Sequence, residues 1–151
     1  MFRGVQYINM DAKGRMAMPA RHRDALISED SLQLVVTIDT QSRCLLIYPL
    51  HTWEAFEQKL QSVAKNKASR RIQRLILGYA SELELDANGR IRLPAVLQEY
   101  ASLEKKLVLV GQGEKFELWS EDAWQEECEQ AIADANSGEQ DLPEDFLNLV
   151  L

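Results

Sequence analysis

A chain of 151 residues has room for one ordinary domain or two small ones, and its 46% hydrophobic and 27% charged content excludes an intrinsically disordered protein. No apolar run approaches the ~20 residues needed to cross a bilayer. The start, Met1 to Gln6, lacks the apolar core of a signal peptide, so a cytoplasmic protein without a membrane partner is expected. The net charge of −7 is unevenly spread: residues 1–75 carry 12 Lys/Arg against 7 Asp/Glu (+5), and residues 76–151 carry 5 against 17 (−12), so one half is fit to face a polyanion.

In chain order, Ile8 and Met10 alternate with Asn9, and Met16 and Met18 alternate with Ala17, the period-two signature of two half-buried strands around a short loop. Pro19 then marks a helix start, with a short helix expected over Arg21–Ile27. Strands follow over Leu34–Ile38 and Cys44–Tyr48, joined by a turn over Asp39–Arg43. Trp53, Phe56, Leu60 and Val63 recur at helical spacing. A separate helix carries Ile72, Leu75, Ile76 and Tyr79 on one face and bridges the two halves of the chain.

The same order then repeats: Leu83 to Pro94, a short helix over Val96–Ala101, strands over Leu107–Val110 and Phe116–Trp119 around a turn through Gly111 and Gly113, and a helix with Trp124, Cys128 and Ile132 on one face. Ala135–Asp141 reads as a polar linker leading to a tail in which Leu142, Phe146, Leu149 and Val150 form an apolar stripe.

The repetition is specific. Ile8 to Pro19 aligns without gaps on Leu83 to Pro94 at an offset of 75, with Asp, Ala, Gly, Arg and Pro identical. Further on, Tyr48 and Trp53 match Trp119 and Trp124 at an offset of 71, so a four-residue difference falls in the intervening turns, where length changes are tolerated. The expected organisation is a first module over 1–66, a connecting helix over 67–80, a second module over 81–135 and an acidic tail over 136–151.

The chemistry concentrates in the loops. Asp11 is suited to accept hydrogen bonds from loop N–H groups, Gly14 supplies the backbone freedom of a tight turn, Lys13 stands at the tip, and Arg15 projects beyond it. A guanidinium fork fits a phosphate or the O6/N7 edge of guanine, and a rigid loop loses little entropy on binding. A single D-x-x-x-R would be an ordinary hairpin with an internal ion pair. Its recurrence as Asp86 and Arg90 in the same setting points to DNA.

These duplicated D-A-x-G-R loops resemble the swapped-hairpin AbrB family. Together with the Met1-Phe2-Arg3-Gly4 start and the Ile72–Tyr79 stretch running into Ala80-Ser81-Glu82, the chain resembles the MraZ family over nearly its whole length. The resemblance implies an α+β fold: a β-rich, tandem-duplicated swapped-hairpin barrel with short helices outside. It also implies a ring-shaped homo-oligomer that binds short G-rich direct repeats in double-stranded DNA of its own promoter, as a nucleoid-associated repressor of the division and cell-wall gene cluster. Its DNA-binding residues would be Arg3, Lys13, Gly14, Arg15 and Arg90, with Asp11 and Asp86 orienting the loops. Asn88 in place of the basic Lys13, and the added Glu84, mark the second loop as the weaker contact or a structural one.

Other chemistry finds little support. His22 and His51 form no metal-ligand spacing with Cys44 or Cys128, so no metal, cofactor or small-molecule substrate is expected, and both cysteines read as reduced. A Cys44–His51 nucleophile pair is less natural than a buried thiol. Gly111-x-Gly113-Glu114-Lys115 is a hairpin turn rather than a phosphate loop. The three tryptophans read as core, whereas Arg70, Arg71 and Arg74 form either a solvated face or a second DNA or subunit contact. The alternative to a DNA regulator is an oligomeric scaffold or antitoxin-like protein without direct DNA reading. A hydrolase using Asp11 and Asp86 lacks a nucleophile or metal, and the chain is not expected to be an enzyme.

Overall fold

A computed structural model describes residues 1–150. The elements run β1 (Val5–Asn9), β2 (Arg15–Ala17), α1 (Ala20–Ser28), β3 (Gln33–Ile38), β4 (Leu45–Pro49), α2 (Leu50–Ser62), α3 (Lys67–Gly78), β5 (Ser81–Glu84), β6 (Arg90–Arg92), α4 (Ala95–Tyr100), β7 (Lys106–Gly111), β8 (Phe116–Ser120), α5 (Glu121–Ser137) and α6 (Glu144–Val150). Pro19, Pro49 and Pro94 sit one residue ahead of α1, α2 and α4, as N-caps rather than first-turn residues. At α3 the cap is reciprocal. Asn66 Oδ1 accepts from the Ser69 N–H, and Ser69 Oγ accepts from the Asn66 N–H, each at 2.9 Å.

Alternating apolar residues give strands a face to bury, and the duplication decides which strands meet. Six strands form an antiparallel sheet in the order β1-β7-β8-β4-β3-β5, and β2 pairs with β6 as a separate two-stranded ribbon. Each copy's first strand thus lies against the other copy's third: Ile8 faces Leu107 as Leu83 faces Leu34. The ribbon is centred on Met16 opposite Ile91, and the β4–β8 pair on Leu46 opposite Glu117. Met16 with Ile91 and Leu46 with Glu117 pair equivalent residues, and the Ile8–Leu107 and Leu83–Leu34 pairs map onto each other, so the two halves are related by a pseudo-twofold axis. The registers also divide the four-residue length difference. The offset is 75 at Met16/Ile91, 73 at Leu34/Leu107 and 71 at Ile47/Leu118, so two residues are lost before the third strand and two in the following hairpin.

The fold is therefore α+β with a six-stranded antiparallel sheet and short helices, but the sheet does not close into the expected barrel. Strands β1 and β5 remain as edges. Eight strands divided between a six-stranded sheet and a two-stranded ribbon leave no continuous ladder around a circumference.

The principal core gathers Met16, Met18, Leu26, Leu34, Val36, Leu45 and Ile47 with Ile91, Leu93, Leu97, Leu107, Leu109, Phe116 and Leu118. A second cluster, Val35, Tyr48 and Trp53 with Phe56, Ile76 and Leu77, joins α2 and α3 to the other face of β3 and β4. The Thr37 hydroxyl donates to the Ile76 carbonyl at 2.6 Å, tying α3 to β3. Trp53 and Trp119 are core residues, as their patterning indicates, and Trp124 is half-buried.

Three local readings need correction. Val63 lies beyond α2 in extended backbone and is exposed. On α3, Ile72 and Leu75 stay half-exposed while Ile76 and Leu77 turn to the sheet. The supposed linker begins inside α5, which continues to Ser137 because no glycine or proline interrupts it before Gly138, whose φ is +71°. Residues Met1–Glu121 form one compact unit and residues from Asp122 onward a second, made of α5 and α6, in which Ile132, Phe146, Leu149 and Val150 are exposed. The expected tail, 136–151, ends one residue beyond those described.

Met16 and Ile91 are 0% and 1% exposed at the centre of the ribbon, so Ile91→Ala should destabilise the fold by about 2–5 kcal/mol in urea unfolding, through a cavity the paired strands cannot refill. A second test concerns His22, buried with its ring edge-on to Phe2 and Phe116 and its Nε2 without a hydrogen-bond partner. Burial, reinforced by the Arg21 charge, holds its pKa below the ordinary 6.5. An unfolded chain then takes up the proton first, so this contribution to stability is full above pH 6.5 and is lost as the pH falls below it, down to the folded-state pKa. The urea midpoint of the wild type should drop between about pH 7 and pH 5.5, and that of His22→Leu should drop less.

Candidate nucleic-acid interface

Each loop is built around one carboxylate. Asp11 Oδ1 accepts from the backbone N–H of Lys13 and of Arg15, both at 2.9 Å, and Oδ2 accepts from Arg15 Nε at 2.7 Å. The Gly14 N–H closes the turn onto the Asp11 carbonyl at 3.0 Å, with Gly14 at φ +78°. The second loop repeats this atom for atom: Asp86 Oδ1 accepts from Asn88 at 2.8 Å and Arg90 at 2.9 Å, and Oδ2 accepts from Arg90 Nε at 3.1 Å. Both aspartates have their pKa lowered, first by the backbone N–H of the arginine four residues on, with further loop N–H groups and the guanidinium adding to it. The stabilisation that the ionised carboxylates give the loops is thus full above the ordinary aspartate pKa of 3.8 and is lost as the pH falls through the lowered values.

The ribbon sets the orientation of what these loops hold. Arg15 lies opposite Arg92, and Ala17 opposite Arg90. Directly opposed residues, and residues two apart, share a face of a β ribbon. Arg15, Arg90 and Arg92 therefore occupy one outward face, with Met16 and Ile91 buried on the reverse. Arg15 and Arg90 are diagonal neighbours, about 7–8 Å apart at the backbone.

Each loop is also fastened by the other copy. The Leu93 N–H donates to the Gly14 carbonyl at 2.8 Å, and the Met18 N–H to the Gly89 carbonyl at 2.9 Å. Arg92 Nε donates to the Lys13 carbonyl at 3.0 Å. Gln98 of α4 lies over Gly14, and its repeat counterpart, Arg23 of α1, lies over Gly89.

Of the residues singled out in the sequence, Asp11, Lys13, Gly14 and Arg15 form one loop, Asp86 and Arg90 the other. Arg3 is in neither. It lies at the start of the chain, where Phe2 exchanges backbone hydrogen bonds with Gly113 and the Arg3 carbonyl accepts from Arg21. Glu84 also stands apart, on edge strand β5 opposite Gln33. Sequence reasoning passed over Arg92, although it follows Arg90 by two residues and so shares its face, and over Arg23. Lys65, Lys67, Arg70, Arg71 and Arg74 line a shallow depression at the start of α3, and among the described residues no carboxylate pairs with them.

Other groupings are occupied by local bonding. Asp39, Cys44 and Glu117 bring ligand-type atoms within 4.8 Å of one another. The buried Cys44 thiol donates to Asp39, however, and Glu117 accepts from Trp119 Nε1. His51 Nδ1 hydrogen-bonds with the Ser31 hydroxyl.

A Cβ on Gly14 would lie 2.5 Å from Gln98 Nε2 in backbone that L-residues avoid, so Gly14→Ala should lower stability by about 1–2 kcal/mol. Arg15→Ala should leave the unfolding midpoint essentially in place, and NMR should show the Asp11 pKa raised from its wild-type value but still below the ordinary 3.8. The N–H groups of residues 13 and 15 still reach the carboxylate in that variant.

The family model described as "MraZ protein, putative antitoxin-like" matches residues 1–75 and again 76–144. Whole-length relatives include "Transcriptional regulator MraZ" of Legionella pneumophila (strain Corby), 50% identical over 147 residues with 97% of each chain covered. The proteins of the same name from Halorhodospira halophila and Coxiella burnetii (strain Dugway 5J108-111) are 47% and 51% identical over 152 residues, each covering all of both chains. With both repeats matched and half of all positions shared end to end, the chain belongs to the MraZ family.

Proposed function

We propose that the protein is a sequence-specific, DNA-binding transcriptional regulator that acts as a cytoplasmic, nucleoid-associated homo-oligomer rather than as an enzyme. The observation that carries this reading is the outward face of the β2–β6 ribbon: three arginines on one side of a two-stranded element, flanked by two carboxylate-locked loops with Lys13 at the tip of one. A two-stranded ribbon fits the major groove, and arginine is the common reader of guanine there. The relatives' names, as transcriptional regulators, agree with it. The exchanged pairings of β1 with β7 and β5 with β3 favour a swapped-hairpin duplication.

In the mechanism we favour, Arg15 and Arg90 address guanine or phosphate while Asp11 and Asp86 hold the loops in one shape. Lys13 and Arg3 add phosphate contacts. One copy makes few contacts, so subunits of a ring each engage one short G-rich direct repeat, and the promoter of the protein's own division and cell-wall cluster is blocked by their sum. The antitoxin-like alternative keeps the loops as structural hairpins.

Binding to a duplex carrying the promoter repeats decides between them. Arg15→Ala should cost ~1–3 kcal/mol per site, multiplied across subunits, with the fold intact. The log–log salt slope should be several units, at ~0.9 per phosphate contacted. Binding by folded Arg15→Ala equal to that of the wild type, or indifference to repeat number and spacing, would favour the alternative.

A further inference from the structure

Arg23 belongs to the first copy, on α1, yet its side chain lies on the second copy's loop. A Cβ placed on Gly89 would overlap Arg23, coming within 2.6 Å of Nη1. The second loop is the one without a basic tip, since Asn88 stands where the first loop has Lys13. At the first loop the reverse holds. Gln98, the counterpart of Arg23, is uncharged, and the borrowed cation is Arg92, whose counterpart is Ala17. Among the described residues no carboxylate pairs with Arg23, Lys13 or Arg92, whereas Arg15 and Arg90 are both paired with their loop aspartates. The two loops therefore reach a similar count of cations by different routes: Lys13, Arg15 and Arg92 at one, Arg90 and Arg23 at the other.

We propose that each loop is a composite polyanion-binding site completed by an arginine from the opposite copy, and that Arg23 takes over at the second loop the phosphate contact that Lys13 makes at the first. On this view the second loop is an active contact despite Asn88. Arg92 acts in two ways, as a cation beside Arg15 and as a positioning residue that holds the Lys13 carbonyl. The inference rests on the DNA-binding reading above and specifies its site.

The pseudo-symmetry supplies substitutions that the fold already accommodates. Arg23→Gln installs the residue found at the equivalent place in the other copy, and Arg92→Ala does the same. Binding of full-length protein to a duplex bearing the promoter repeats would be followed by fluorescence anisotropy over a salt series, with unfolding midpoints confirming intact folds. Each variant should weaken binding by about tenfold or more and lower the salt slope by about one per subunit engaged. Arg92→Lys should recover the slope but only part of the affinity, because lysine lacks the planar donor that holds the Lys13 carbonyl. Asn88→Lys should restore binding in the Arg23→Gln background far more than it raises that of the wild type.

Wild-type affinity in folded Arg23→Gln, with Arg15→Ala impaired, would overturn the inference and leave the DNA-binding reading standing. Equal gains from Asn88→Lys in both backgrounds would show that Arg23 does not replace the tip cation and would likewise overturn it. A wild type that binds the repeats no better than an unrelated duplex would remove the DNA-binding reading itself.

Discussion

Everything at the candidate interface depends on a ladder only three residues long. In the β2–β6 ribbon the central pair, Met16 and Ile91, is buried, and the flanking positions face outward. Burial of the central pair fixes the register, because a slip by one residue would drive arginines into the core. The same pairing joins the two repeats across the pseudo-twofold axis and places the loops at opposite ends of one surface. It also brings the Leu93 and Met18 N–H groups to the carbonyls of Gly14 and Gly89. Loop shape, arginine spacing and the joining of the halves are thus consequences of one packed contact.

Above it, the aspartates convert flexible turns into fixed ones. Each carboxylate gathers two backbone N–H groups and a guanidinium, and these bonds lower its pKa. The pairs themselves are part-exposed, with side chains about a third accessible, so their worth is local geometry rather than global stability. The folded unit is instead held by its core, where Leu34, Leu45, Leu107 and Phe116 are wholly buried.

The duplication and the loops were legible because they are written in adjacent residues: a gapless twelve-residue repeat, glycines that take up positive φ, prolines ahead of helices. The strand positions followed from alternation. What could not be read was the partnership between distant segments. Period-two patterning says that Ile8 and Leu107 each bury a face, but not that they face each other, and so it left open whether the sheet closes. Arg92 escaped notice for the same reason. Its importance comes from lying opposite Arg15, which is a property of register and not of the chain around it. Arg23 and Gln98 looked like ordinary helix residues until α1 and α4 were seen to cross onto the opposite loops. The end of α5 was misjudged because polar composition suggested a linker, whereas only Gly138 stops the helix.

Two separate, identical half-chains assembled about the same axis would have to place the same residue at both ends of the ribbon, and the surface they present would look alike after a half-turn. Such a surface suits a site whose two strands read the same in opposite directions. Joining the halves in one chain releases that constraint, and here the release has been used: arginine stands at one end, at position 92, and alanine at the other, at position 17. Lysine at 13 and asparagine at 88 break the likeness a second time. The face therefore has a head and a tail, and its two ends offer different residues to whatever lies along it, as a surface with a true twofold axis cannot.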